Sequence, residues 1–132
     1  SEHLTVLLAS ALDSIGEKHL LTMYPELQAQ IVFLGKLGHR DATSNEWLSQ
    51  LNPQLALLSV DSEDRYQRPH SETLARLANN QIPLLSTAQC HGFWIEANAH
   101  TGAWVARTVS GDHPRFWRSS GMCLARQARR KE

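Results

Sequence analysis

The chain has 132 residues, 42% hydrophobic and 20% charged, which fits one globular unit and excludes collagen-like and disordered chains. Its formal net charge is zero, yet residues 1–106 carry a net of −5 and residues 107–132 a net of +5, so an acidic body precedes a basic tail. No apolar run reaches the roughly 18 residues that span a bilayer, no signal peptide is expected, and Cys90 and Cys123 are too few for a disulfide scaffold or a four-thiolate zinc site.

In chain order, Leu4-Thr5-Val6-Leu7-Leu8-Ala9 reads as a short buried strand. Asp13 to Glu17 reads as a turn and His19 to Met23 as a second strand, so the two predict a hairpin. Pro25 opens a short helical turn over Glu26 to Ala29, and Ile31-Val32-Phe33-Leu34 is the third strand. The polar loop Gly35 to Ser44 leads to a helix over Glu46 to Leu51, capped by Thr43, Ser44 or Asn45 and stopped by Asn52-Pro53. Leu55 to Val60 is a fourth strand, His70-Ser71-Glu72 starts a helix with Leu74, Leu77 and Ala78 on one face, and Pro83 to Thr87 is a fifth strand. Phe93 to Glu96 and Ala103 to Ala106 flank Asn98 to Gly102 as a terminal hairpin. Trp47, Trp94 and Trp104 read as core.

Strands alternating with short helices predict an α/β fold with a mixed sheet, helices on one face and a C-terminal β-hairpin. Residues 1–109 form the folded part and residues 110–132 the basic tail, within a stretch holding Arg107, Arg115, Arg118, Arg126, Arg129, Arg130 and Lys131. No G-x-S-x-G elbow and no glycine-rich phosphate loop is present. Asp61 to Asp64 lacks the alternating ligands and central Gly of a calcium loop, and Cys90-His91 points its two side chains to opposite sides of an extended chain.

The segment from about Leu4 to Ile95 resembles the C-terminal metallo-β-lactamase-like domain of ComEC-type DNA-internalisation (competence) proteins. The residues carrying the resemblance are Leu20-Leu21-Thr22, Leu37-Gly38-His39, Thr43-Ser44, Leu48, Asn52-Pro53, Leu57-Leu58-Ser59-Val60, Arg65-Tyr66, Pro69-His70 and the Leu74/Leu77 helix. That family reads L-L-T-G-D, H-H-G-S-x-T-S, N-P or K-P, I-S-V and N-R-Y-G-H-P-H in the same order. The resemblance implies half of an αβ/βα sandwich, a soluble domain of a bacterial inner-membrane protein, and a part in DNA uptake beside a membrane channel. In intact members it implies metal-activated water attacking a phosphodiester, with zinc or manganese as the cofactor.

Departures from the pattern bear on that chemistry. Met23-Tyr24 stands where the family has Gly-Asp, so the bridging carboxylate is absent, and a phenol with an ordinary pKa of about 10 replaces it poorly. Gly38-His39-Arg40-Asp41 and Tyr66-Gln67-Arg68-Pro69-His70 each keep one histidine of two, and the family's H-x-[HD]-x-D-H box has no counterpart. His39 and His70 are therefore the candidate metal ligands, with Asp41 nearby and Arg40 and Arg68 beside them to oppose divalent cations. A degenerate metal site is expected, with no cofactor for this chain alone and no hydrolase activity by itself. The half-sandwich leaves a sheet face to be covered by an upstream half of the same protein, a second copy, or the chain's own hairpin, of which a missing upstream half is preferred.

The alternative is a non-enzymatic module that binds single- or double-stranded DNA, or a partner, through its tail. Phe116-Trp117 between Arg115 and Arg118 suits stacked bases and phosphates, and Arg129 and Arg130 extend the positive stretch.

Overall fold

Four parallel strands form the centre of the molecule in a computed structural model. It describes residues 3–61, 63–90, 92–110 and 113–117, with 89–90, 108–110 and 113–117 described by backbone alone. The strands β1 (Val6–Leu8), β2 (Ile31–Phe33), β3 (Leu55–Leu58) and β4 (Leu84–Ser86) lie side by side in chain order. Leu7 pairs with Val32, Val32 with Ala56, and Ala56 with Leu84. Helices α1 (Ser14–Met23), α2 (Asn45–Leu51) and α3 (Ser71–Asn79) make the three crossovers. Sequential parallel neighbours joined by right-handed crossovers put all three helices on one face. There Trp47, Leu48, Leu51 and Leu77 pack with Val32, Ala56, Leu58 and Leu84 of the sheet. All four residues of β3 are buried, as a strand covered on both faces requires.

After the one-turn helix α4 (Thr87–Cys90), the strands β5 (Gly92–Ala97), β6 (Trp104–Ser110) and β7 (His113–Trp117) form an antiparallel sheet. Phe93, Ile95, Trp104 and Ala106 cover Ile31, Phe33, Leu55, Leu57 and Leu85 on the sheet face opposite the helices. The Phe33 and Phe93 rings meet at 6.4 Å between centroids. The α/β class, the helices on one face and the C-terminal hairpin agree with the sequence reading. The chain's own hairpin covers β2 to β4, whereas Val6 and Leu8 on β1 remain 41% and 70% exposed. The turn between β5 and β6 is built as its residues predict: Asn98 Oδ1 accepts the N–H groups of His100 and Thr101, and Gly102 takes a φ of +72°.

Several local expectations are corrected. Residues 13–23 form no turn and strand, so no β-hairpin follows β1. Asp13 Oδ1 accepts the Gly16 N–H at 2.9 Å and caps α1, which carries Leu20 and Leu21 against the first core cluster. Parallel pairing of β1 with β2 demands a crossover, and α1 supplies it. Pro25-Glu26 make a turn only. Trp94 is not core: it is 39% exposed and donates Nε1–H to Glu96. Arg107 belongs to β6 and pairs with Glu96 at 2.8 Å.

Candidate functional site

Loops leaving the carboxyl ends of β2 and β3 meet over the edge of the parallel sheet, the usual place for a site in such folds. The first leaves β2 through a 3₁₀ segment, Gly35–Gly38, in which Lys36, Leu37 and Gly38 take φ values of 45°, 55° and 78°. Side-chain-bearing residues avoid this left-handed region, so surrounding contacts must hold the turn. A Cβ on Gly35 would lie 2.2 Å from the Leu12 carbonyl oxygen, and one on Gly38 would lie 2.6 Å from Pro69 Cβ. The second loop closes on the first there, with His70 N–H donating to the Gly38 carbonyl at 2.9 Å.

Residues 39–44 have nearly every main-chain group assigned. The carbonyl of His39 accepts from Thr73 Oγ1, that of Asp41 from Ser14 N–H, and those of Arg40, Ala42 and Thr43 from the guanidinium of Arg76. The N–H groups of Thr43 and Ser44 donate to Glu17 Oε2 and Oε1 at 2.5 and 2.9 Å. Glu17 is fully buried. Burial pushes its carboxyl pKa up, against the two main-chain donors and the charge of Arg76.

In the second loop, Asp64 accepts from Arg68 Nε at 3.1 Å and Nη2 at 2.7 Å, a forked pair, and from the Arg68 main-chain N–H at 3.0 Å. Those donors hold the Asp64 carboxyl down at about 2. The guanidinium groups of Arg65 and Arg68 lie 4.7 and 5.1 Å from the Tyr66 ring centre.

Between the loops lies a cleft of about 460 Å³ lined by His39, Arg40, Tyr66, Arg68 and His70. A larger hollow of about 810 Å³ opens at the other end of the sheet, between Gln30, Gln54 and the β5–β6 turn. Its lining has amides and one carboxylate, Glu96, but no histidine or arginine, so the smaller cleft is the better chemical candidate.

His39 and His70, far apart in sequence, thus share one cleft, with Arg40 and Arg68 beside them. Both histidines use Nδ1 as an acceptor: His39 takes the Asp41 N–H and His70 the Glu72 N–H, each at 3.1 Å. A neutral ring so placed keeps its proton on Nε2, by inference from these partners. A metal-ligating histidine normally donates one ring N–H outward and turns the other lone pair to the metal. Asp64 is engaged by Arg68, and Asp41 Oδ2 lies 3.6 Å from His39 Nδ1. Among the described residues no three His, Cys, Asp or Glu side chains are grouped to hold a metal ion. Such a donor-rich lining does not fit a zinc or manganese pair. Tyr24 caps the C-terminus of α1 and does not line the cleft.

Arg115, Phe116 and Trp117 fall in β7, where Phe116 pairs with Arg107, and their side chains lie outside what is described. Arg118, Arg129 and Arg130 lie outside the described residues. Sequence reasoning missed Glu17 and Arg76, which hold the first loop. No helix among the described residues is long and apolar enough to cross a membrane.

No protein-family model and no solved structure matches the chain. Over 83 residues, 63% of its length, the chain is 30% identical to ComE operon protein 3 of Bacillus subtilis (strain 168). The chain spans 11% of the length of that relative, so the likeness concerns a small region of a much longer competence-operon protein.

Proposed function

We propose that this chain is a region of a competence protein that takes part in DNA uptake across the bacterial inner membrane, with a degenerate lactamase-like site and no hydrolase activity of its own. The likeness to a competence-operon protein over 83 residues is the observation that carries this reading. The composition of the cleft agrees with it: two arginines and two histidines stand where hydrolysis by paired cations would need clustered anionic ligands. Upstream sequence of the same protein, or a second copy, is the proposed neighbour, and a membrane channel the proposed setting.

Fluorescence anisotropy of the 132-residue chain with labelled single- and double-stranded DNA tests the reading. Binding is expected, with an affinity that falls linearly on a logarithmic salt scale as phosphate contacts release counterions. Neither strand is expected to be cut with zinc or manganese present. Absence of binding to both DNAs rejects the DNA-uptake role for this chain, and metal-dependent cleavage rejects the degenerate site. Removing residues 114–132 separates the cleft from the basic tail. Loss of all affinity would assign DNA binding to the tail, the alternative reading.

A further inference from the structure

Every side chain lining the cleft offers a hydrogen-bond donor. Arg40 and Arg68 are donors only, the Tyr66 hydroxyl can donate, and His39 and His70 keep their protons on Nε2 while Nδ1 accepts a main-chain N–H. The two imidazoles share a device: each ring accepts an N–H two residues ahead, one in the loop after β2 and one at the start of α3. To ligate a cation through Nε2, either ring would have to move its proton to Nδ1 and break that bond. Presenting Nε2–H to an anion breaks nothing. Of the two guanidinium groups, Arg68 is fixed by its fork to Asp64. Arg40 is 61% exposed at its side chain and only 3.9 Å from Asp41 Oδ1, beyond hydrogen-bond distance.

We propose that this cleft is an oxyanion site that takes a phosphate group of a nucleic-acid strand, held by the Nε2–H donors of His39 and His70 and by the guanidinium of Arg40. The polarity of the site follows from the hydrogen bonds. The choice of a nucleic-acid phosphate rests on the DNA-uptake reading above. The main-chain assignments around residues 39–44 hold the backbone that carries His39 and Arg40 before a ligand arrives.

Nitrogen-15 NMR of the full chain, recorded with inorganic phosphate, with a dithymidine phosphodiester and with zinc ions, tests the proposal. Both imidazoles are expected to carry their proton on Nε2, and both to shift with phosphate. His70→Asn keeps a good helix cap while removing the Nε2–H, and Arg40→Gln changes an exposed side chain; each is expected to weaken phosphate binding roughly ten-fold or more. A phosphate titration that moves neither ring, or affinities unchanged in both variants, overturns the site. So does zinc shifting both rings with the proton moved to Nδ1. Response to the phosphodiester as well as to phosphate identifies an internal strand phosphate. Response to inorganic phosphate alone keeps the oxyanion site and removes the support for DNA. DNA binding that leaves both rings unmoved keeps the DNA-uptake reading and overturns this site.

Discussion

Glu17 and Asp64 show how differently two carboxylates can serve neighbouring loops. Burial raises the Glu17 pKa above its ordinary 4.5, so the protonation-linked part of its contribution to stability is full below that value and is lost as pH rises through the raised pKa. The two accepted N–H bonds still hold the loop. Glu17→Gln removes this pH dependence but turns an NH₂ toward one of the two N–H groups that the carboxylate accepts. A loss of about 1–3 kcal/mol in urea unfolding at neutral pH is expected, with the slope unchanged. A midpoint equal to that of the parent chain would show that Glu17 does not hold the loop. Asp64 behaves in the opposite sense. The Arg68 fork lowers its pKa from 3.8 to about 2, so its contribution is present above 3.8 and is lost as pH falls through about 2. A carboxyl titration followed by NMR should therefore show a midpoint near 2, and one near 3.8 would mean an open fork.

At the level of elements, the parts readable from sequence are those with local signals that no other arrangement satisfies. Thr43, Ser44 or Asn45 before Trp47, and Asn52-Pro53 after Leu51, bracket α2, and of the three caps it is Ser44 whose Oγ accepts the Trp47 N–H at 3.2 Å. Leu55 to Leu58 is a continuous apolar run suited to a strand buried on both sides. By contrast, His19 to Met23 is a short apolar run whose periodicity fits strand or helix, and only the partner of β1 decides between them. The hairpin was legible, yet its place on the open face of the sheet was one option among three, because packing partners leave no local trace. Leu57, 1% exposed between β5–β6 and the sheet, tests that packing: Leu57→Ala should cost about 2–5 kcal/mol in chemical denaturation. A cost below 1 kcal/mol would mean the hairpin does not seal this face.

For the whole molecule, the donor-lined cleft stands at one end of the sheet and the amide-lined hollow at the other. The family resemblance, not spacing alone, marked His39 and His70 as candidates, and the fold brings them to one cleft. That resemblance gave no hint of their protonation, since that depends on the main-chain N–H groups each ring meets after folding. Glu17 and Arg76 were illegible as a pair for a related reason: they reach the same six residues from helices separated by two strands of chain.

That reach has a consequence for transplanting the cleft. All its lining groups come from residues 39–70, which invites exchange of two adjacent βα units between proteins. The stretch would nevertheless arrive slack without its tethers, because Ser14 and Glu17 grip it from α1 and Arg76 from α3. The smallest portable cassette therefore begins before α1 and ends after α3, and recombination inside those borders would deliver the right side chains on a drifting backbone.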